Sequence, residues 1–222
     1  MKSLGVFQFQ QKTFKKLPIN PKFRAILGSI PKDFICIIYG ESGNGKTEFC
    51  IQMAKHLTEF GVVGWLSYEQ GHGYDLQRAV NRNEMQNCPK GSFIIIDPVA
   101  DVPKGVTLFE DVMNYLGKRS SPDFIFFDSW DYTNFTFDQY KELKLLAKIK
   151  NKALIFISHA NGKKPKKTTG EQIEYDGGIG ILVKKFIAYP MKSRFGGEGD
   201  YIIYEERAKL LNPKYFTALE VG

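Results

Sequence analysis

The chain has 222 residues, of which 43% are hydrophobic and 25% are charged. This length and this average composition predict one folded core, and they exclude collagen-like, intrinsically disordered and disulfide-scaffold proteins. Its 31 basic and 24 acidic residues give a net charge of +7. The three cysteines show no CxxC spacing and there are only three histidines, so no zinc-site pattern is predicted.

An irregular arm is predicted over residues 1–30, because this region contains Pro18 and Pro21 and precedes the first apolar run. Residues 31–222 then form the predicted core. Polar residues recur throughout residues 1–16, so no signal-peptide hydrophobic region is expected there. No apolar stretch approaches the roughly 20 residues of a membrane span. We therefore expect a cytoplasmic protein without a membrane partner.

Short apolar runs alternate with amphipathic segments up to residue 170, which is typical of a parallel sheet covered by helices. Both sets of elements are short enough for a single α/β domain. The predicted strands are Phe34–Tyr39, Val62–Leu66, Phe93–Ile96, Phe124–Phe127 and Leu154–Ile157. The predicted helices are 46–60, 73–87, 105–117 and 136–150.

The alternation of apolar runs and amphipathic segments ends at about residue 170. Apolar and aromatic runs at Ile181–Tyr189, Tyr201–Tyr204 and Tyr215–Leu219 are separated by segments rich in Gly or containing Pro. These runs predict strands without intervening helices. The expected fold is thus α/β, a mainly parallel twisted sheet flanked by helices, with a C-terminal antiparallel extension.

A glycine-rich segment follows the first predicted strand and matches the pattern G-x-x-x-x-G-K-[ST] in full. In such a loop the backbone N–H groups and a helix N-terminus hold phosphate oxygens. Lys46 is expected to reach the β and γ phosphates, and the Thr47 hydroxyl is expected to ligate Mg²⁺. The predicted nucleotide-binding residues are Gly40, Glu41, Ser42, Gly43, Asn44, Gly45, Lys46 and Thr47.

Two carboxylates complete the predicted chemistry of a Mg²⁺-ATP site. Asp128 ends the apolar run Phe124–Phe127, as a Walker B aspartate does, and is expected to hold the water shell of the metal. Glu69 lies just past the second strand, on the side where ligands bind in parallel α/β sheets. It is a candidate for the base that activates the attacking water. From position alone, Glu69 is equally compatible with an exposed loop carboxylate that has no catalytic contact.

These motifs together resemble the RecA/RadA-type ATPases, including the hexameric helicases of that class. The resemblance covers about residues 30–206 and implies that Glu69 is the catalytic base. It also implies that the sensor strand lies between the P-loop and Walker B strands, so that Ser158 or His159 faces the γ-phosphate. We favour His159 as the sensor.

The same resemblance implies an oligomer, either a ring or a filament, in which neighbouring subunits complete each other's sites. Residues 191–197 resemble the K-N-R-F-G motif of RadA-type proteins. Lys192 and Arg194 are therefore candidates for fingers that reach the γ-phosphate of the neighbouring subunit. A hairpin that merely carries surface charge is the alternative.

The positive charge is concentrated in one part of the chain. Residues 141–170 contain nine lysines and one acidic residue, whereas the remainder is nearly neutral. The resemblance implies a mobile DNA-binding loop at 161–170, where we expect Lys163, Lys164, Lys166 and Lys167 to contact DNA phosphates. Trp130, Tyr132 and Phe135 either stack on bases or belong to the core, and a solvated helix face with a loop is the alternative origin of the charge.

The leading functional hypothesis is a Mg²⁺-dependent, RecA-like ATPase that acts on single-stranded DNA with little sequence preference. A second hypothesis is a nucleotide-gated scaffold for another protein, such as a helicase loader or regulator. A P-loop small-molecule kinase is less favoured, because the additional basic residues cluster after the sensor strand instead of forming an arginine-rich lid.

Overall fold

The computed structural model describes the backbone of residues 3–221 and the side chains of residues 3–218. Its strands are β1 (Ile35–Gly40), β2 (Val63–Ser67), β3 (Phe93–Ile96), β4 (Phe124–Asp128), β5 (Ala153–Asn161), β6 (Lys164–Pro165), β7 (Ile179–Lys184), β8 (Ile187–Ser193) and β9 (Tyr201–Ile202). Its helices are α1 (Val6–Gln10), α2 (Pro21–Leu27), α3 (Lys46–Leu57), α4 (Tyr74–Arg82), α5 (Leu108–Gly117), α6 (Trp130–Thr133), α7 (Phe137–Lys150), α8 (Thr168–Asp176), α9 (Glu205–Leu211) and α10 (Pro213–Val221).

The sheet has the order β3-β2-β4-β5-β1-β7-β8-β9. The strands from β3 to β7 in this order are parallel, and β8 and β9 extend the sheet in the antiparallel sense. The α/β fold predicted from the sequence is therefore confirmed. Strand β5, the predicted sensor strand, lies between β1 and β4, as the resemblance implied, and its register pairs His159 with Gly40.

The sheet is buried on both faces, because successive side chains of each strand point to opposite sides. Cys36 and Ile38 of β1 pack in one core cluster, which also contains Phe49 of α3. Ile37 and Tyr39 of the same strand belong to the other cluster, with residues of α5 and α7. This double burial explains why the strands read as continuous apolar runs in the sequence.

The N-terminal segment is more regular than the predicted arm. Helix α2 begins with Pro21 after the cap residue Asn20, whose side chain accepts a hydrogen bond from Phe23 N at 2.9 Å. Phe23 is buried in the core and its ring stacks on that of His56, with 5.1 Å between the ring centroids. The expectation of an irregular segment is therefore wrong for residues 21–27, which form a helix packed against the core.

Three predictions for the C-terminal part of the chain are wrong. The run Ile181–Tyr189 is the β7–β8 hairpin, whose turn at Lys185 and Phe186 has positive φ at both residues, and not one strand. Helices α8, α9 and α10 lie where no helices were expected. The run Tyr215–Leu219 belongs to α10, which begins at Pro213, a residue well suited to the first turn of a helix.

The helices of residues 3–221 include none that is both long and apolar enough to cross a membrane.

Candidate functional site

The glycine-rich segment connects β1 to α3 at the carboxyl edge of the sheet. Gly45 has φ of 94°, a left-handed conformation that side chains rarely adopt, and it directly precedes the first residue of α3. Gly40 permits another close approach, because a Cβ there would lie 2.2 Å from the carbonyl oxygen of Val183. The two glycines of the motif thus allow the backbone to curl tightly before the helix N-terminus.

The turn of the β7–β8 hairpin is bound to this loop. Lys185 N donates a hydrogen bond to Asn44 Oδ1 at 2.7 Å, and Phe186 N donates to Asn44 O at 3.0 Å. The ring of Phe186 lies against Gly45, where a Cβ would come within 2.9 Å of it. The hairpin turn therefore forms one wall of the space above the loop.

A cavity of about 750 Å³ opens between the loop, the ends of β2, β4 and β5, and α9. Its size falls in the range typical of small-molecule sites. It is lined by Ser42, Gly43, Gly45, Lys46, Thr47, Glu48, Gln52, Glu69, Gln70, Arg78, Arg82, Asn83, Asp128, Ser129, Ile157, His159, Phe186, Ile203, Tyr204 and Arg207.

Lys46 and Asp128 supply charges of opposite sign to the cavity. Lys46 Nζ donates to the carbonyl oxygens of Gly40 and Glu41, at 2.7 and 3.2 Å, and burial lowers the pKa of this lysine. Asp128 Oδ2 accepts a hydrogen bond from Trp65 Nε1 at 3.1 Å. Burial, followed by the charge of Glu69, raises the pKa of Asp128 to about 7.

His159 lies between two carboxyl groups. Its Nε2 is 3.9 Å from Glu69 Oε1, and its Nδ1 is 3.0 Å from Asp131 Oδ2. The backbone N of His159 donates to the same Asp131 oxygen at 2.6 Å, and Ser158 Oγ lies 3.1 Å from both carboxylate oxygens of Asp131. Of the two sensor candidates, His159 lines the cavity, whereas Ser158 is fully buried and donates to Asp131.

Several observations fit a Mg²⁺-nucleotide at this place. Thr47 and Asp128 both line the cavity and offer the hard oxygen ligands that Mg²⁺ prefers. Four side-chain polar atoms of the described residues are buried without a hydrogen-bond partner, and two of them, Ser129 Oγ and Gln70 Oε1, belong to residues that line the cavity. Buried polar atoms of this kind are normally satisfied, so a bound polar ligand or its water would supply their partner.

Lys192 and Arg194 lie apart from this cavity in the same chain. In the sheet, Lys192 pairs with Gly180, and Gly180 pairs with Ile37 of β1, three residues before Gly40 begins the glycine-rich segment. Its Nζ donates to the carbonyl oxygens of Glu174 and Tyr175 at the end of α8. Neither residue is among those that line the cavity, so they would need a neighbouring subunit's site to act on a phosphate.

We call residues 161–167 the basic hairpin: Ala160 and Asn161 pair in the antiparallel sense with Pro165 and Lys164, and Lys166 and Lys167 lead into α8, which contains residues 168–170 of the predicted loop. Lys163, Lys164 and Lys166 are exposed, and Lys164 Nζ lies 3.7 Å from Glu171. Lys167 differs, because its Nζ donates to the carbonyl oxygen of Asp131 and to Asn134 Oδ1. The backbone N of Lys166 donates to His159 O at 2.8 Å, so the basic hairpin is attached directly to the cavity wall.

The aromatic residues after β4 divide into two groups. Trp130 and Phe135 are buried in the core, so stacking on a base is excluded for them in this structure. The side chain of Tyr132 is 53% exposed.

Sequence reasoning missed several polar residues of the site. Trp65, Ser129 and Asp131 were not assigned to it, and neither were the cavity-lining residues Arg78 and Arg207. The only local signal for Ser129 and Asp131 is their position directly after the strand that ends in Asp128.

No protein-family model and no curated protein matches the chain. Solved structures do match in fold. The flagellar accessory protein FlaH from Methanocaldococcus jannaschii has a TM-score of 0.59 at 20% identity, over 85% of this chain and 92% of that one. A KaiC-like protein from the hyperthermophilic archaeon Pyrococcus horikoshii OT3 has a TM-score of 0.61 at 16% identity, over 86% and 99%. The ATPase domain of the protein G40P has a TM-score of 0.53 at 16% identity, over 76% and 80%.

These likenesses, with the strand order and the loop between β1 and α3, define a class of fold. The chain has a RecA-like α/β fold with a P-loop pattern between β1 and α3, and antiparallel strands extend its sheet beyond β7.

Proposed function

We propose that this protein is a Mg²⁺-dependent ATPase of the RecA-like class that acts on DNA as an oligomer. One observation carries the ATPase part of the proposal. One cavity beside the N-terminus of α3 is lined by residues from four separate parts of the sequence, namely Lys46 with Thr47, Glu69, Asp128 and His159. Each has the chemical type that phosphoryl transfer to water requires.

The roles follow from the chemistry of each group. Thr47 and Asp128 would hold Mg²⁺, which neutralises the charge that develops on the phosphates. Lys46 would exchange its backbone carbonyl partners for phosphate oxygens, which are stronger hydrogen-bond acceptors. Glu69 would orient and deprotonate the attacking water, and His159 would sense the terminal phosphate through the same water.

The DNA part of the proposal is supported by the position of the basic hairpin. Its exposed lysines follow directly on the strand that carries His159, and the hairpin backbone is hydrogen-bonded to His159. A change at the terminal phosphate can therefore be passed to the lysines through one hydrogen bond. We propose single-stranded DNA, held mainly by its phosphates, as the partner.

The first experiment tests Glu69 as the base. Glu69→Gln should lower kcat by about 10²- to 10³-fold while ATP binding persists, because the amide cannot accept the proton of the water. Glu142→Gln makes the same chemical change at an exposed position of α7 and should keep the wild-type rate. Hydrolysis of ATP by Glu69→Gln at the wild-type rate would refute the assignment.

A mixing experiment tests completion of the site by a neighbour. Arg194→Ala leaves each subunit's own cavity intact, and Glu69→Gln leaves Arg194 intact. If Arg194 acts in the neighbouring site, mixing the two inactive variants should restore part of the hydrolysis. No recovery in mixtures that demonstrably exchange subunits would remove Arg194 from this role.

A second candidate function is a nucleotide-gated scaffold for another protein. It is favoured by the region around α1, where Leu4, Val6, Phe7, Phe9 and Phe14 have exposures of 51–77%. Apolar side chains grouped in this way are typical of surfaces that bind proteins. Stimulation of ATP hydrolysis by single-stranded DNA supports the DNA-dependent ATPase, whereas unchanged turnover together with a stable protein complex supports the scaffold.

A further inference from the structure

We propose that Asp131 is a positioning residue, which holds His159 with a proton on Nδ1 and presents its Nε2 toward Glu69. This inference rests on the proposed ATPase function for its kinetic consequences, but the orientation of the ring can be measured without any hydrolysis.

The carboxylate of Asp131 is nearly enclosed, with 7% of its side chain exposed. Asp131 lies on α6, three residues after Asp128, and its carboxylate accepts hydrogen bonds from residues at the end of β5. Ser158 Oγ lies 3.1 Å from both of its oxygens, and the backbone N of His159 donates to Oδ2 at 2.6 Å. Donors on both oxygens fix the carboxylate in one orientation.

The imidazole of His159 is held by this fixed carboxylate. Its Nδ1 is 3.0 Å from the same Oδ2 that accepts from the backbone N of His159. Because a carboxylate only accepts, Nδ1 must carry the proton of this hydrogen bond. The ring cannot turn without breaking it, and the other nitrogen therefore faces the cavity.

The consequence lies at Nε2. This atom is 3.9 Å from Glu69 Oε1, which is too long for a direct hydrogen bond and short enough for both atoms to bind one intervening group. In the neutral ring with Nδ1 protonated, Nε2 is an acceptor, so it can take a hydrogen bond from the water that Glu69 activates. A change of tautomer would replace this acceptor with a donor.

The same residue connects the site to the basic hairpin. Lys167 Nζ donates to the backbone carbonyl oxygen of Asp131, and the backbone N of Lys166 donates to that of His159. Both members of the Asp131–His159 pair are thus hydrogen-bonded to the basic hairpin. A displacement of the basic hairpin by a bound polyanion would act on the pair that orients Nε2.

The direct test is the tautomer of His159, measured by two-bond ¹H–¹⁵N correlation on the ¹⁵N-labelled full chain at a pH where the ring is neutral. Wild type should show the Nδ1–H pattern, and Asp131→Ala should shift His159 to Nε2–H, because Nδ1 loses its acceptor while Nε2 still faces the carboxylate of Glu69. His159→Gln assigns the signals. His56, whose Nε2 accepts from Asn20 N at 3.1 Å, should keep its Nδ1–H pattern throughout.

Asp138→Ala is the matched control, since Asp138 is an exposed carboxylate on α7 paired with Lys141. It should leave the His159 signals unchanged. An Nε2–H pattern in wild type overturns the proposal, and this outcome requires no variant to fold. An unchanged pattern in a folded Asp131→Ala protein overturns it as well.

Kinetics supply the second readout. Asp131→Ala should lower kcat by about 100-fold with KM unchanged, because the loss is one of orientation. Since Asp131 acts through His159, the double variant Asp131→Ala/His159→Gln should be no slower than His159→Gln alone. Multiplying effects would show an independent structural role and overturn the proposal. If wild type hydrolyses no ATP, the proposed function fails, while the tautomer measurement still decides the role of Asp131.

Discussion

The P-loop and the basic hairpin follow neighbouring parallel strands, β1 and β5, but they present their polar groups in opposite ways. The P-loop relies on backbone geometry, which Gly45 and the start of α3 determine. The basic hairpin relies on exposed lysine side chains with different contacts, because Lys167 donates hydrogen bonds to Asp131 and Asn134, whereas Lys164 lies near Glu171. A motif whose function depends on backbone conformation can therefore be recognised in the sequence. For a cluster of lysines, only the structure shows which side chains make contacts within the protein.

The largest expected effect is at the P-loop. Lys46→Ala should lower ATP hydrolysis by about 10²- to 10³-fold, the loss typical of removing one donor to the charge developed in the transition state. Lys148→Ala, which removes an exposed lysine of α7, should keep the basal rate. Steady-state hydrolysis without DNA measures both, and comparable rates for the two variants would contradict the site.

The burial of Asp128 gives the P-loop side a pH dependence. Its pKa is raised to about 7 from the model-peptide value of 3.8, so the folded protein binds more protons than the unfolded chain between these values. The free energy of unfolding should therefore fall as pH rises from about 4 to about 7, by at most about 1.4 kcal/mol per pH unit. Above about pH 7 this contribution stays constant.

Urea unfolding of the protein with a chelator, in wild type and in Asp128→Asn, measures this dependence. The difference in unfolding free energy between the two proteins should change over this pH range, because the amide does not titrate. A difference that is independent of pH between 4 and 7 would show that Asp128 ionises normally in the fold.

The basic hairpin should respond to salt and not to pH. Changing Lys163, Lys164 and Lys166 together to Gln should reduce the slope of log affinity for single-stranded DNA against log salt concentration by about 2, since each phosphate contact contributes about 0.7. The matched control changes Lys141, Lys148 and Lys150 of α7 and removes the same charge. Equal slopes for the two triple variants would show that bulk charge, and not the basic hairpin, attracts the DNA.

The smallest effect separates Lys167 from its neighbours. Lys167→Met removes two hydrogen bonds to the segment after β4, and it should lower the unfolding free energy by about 1 kcal/mol. Lys163→Met should change it by less than about 0.5 kcal/mol, as exposed substitutions generally do. Urea midpoints test this ranking, which the reverse order would contradict.

The parallel part of the fold could be predicted because its strands are buried on both faces. The predicted bounds of β1 to β4 agree with the structure within one residue, and the P-loop pattern predicted the turn between β1 and α3. Both signals are local. Apolar runs of strand length between polar segments require no knowledge of the partners on either side.

The C-terminal region was mispredicted because its turns depend on distant contacts. The β7–β8 turn contains Lys185 and Phe186 at positive φ, with no Gly or Asn to mark it, and Asn44 of the P-loop binds both backbone N–H groups. Gly170 reads as a loop residue, yet it lies within α8, where a Cβ would come 2.8 Å from Pro165 Cβ.

The candidate site shows the same limit. Lys46, Thr47 and Asp128 belong to motifs with fixed spacing, so the sequence predicted their place in the cavity. Asp131 gains its role from His159, 28 residues away along the chain, and only the alignment of β4 and β5 brings the two together. A carboxylate with no motif of its own cannot be assigned before that alignment is known.

The hydrogen bond from the Trp65 indole to Asp128 has an optical consequence. The chain contains two tryptophans. The other one, Trp130, is buried, and its Nε1 donates to Thr169 Oγ1 at 3.3 Å. In a Trp130→Phe protein the remaining emission comes from an indole whose N–H donates to the candidate metal ligand. Ionisation of Asp128, or its engagement by Mg²⁺, should shift or quench this emission, so the state of the site can be followed with light and without a label.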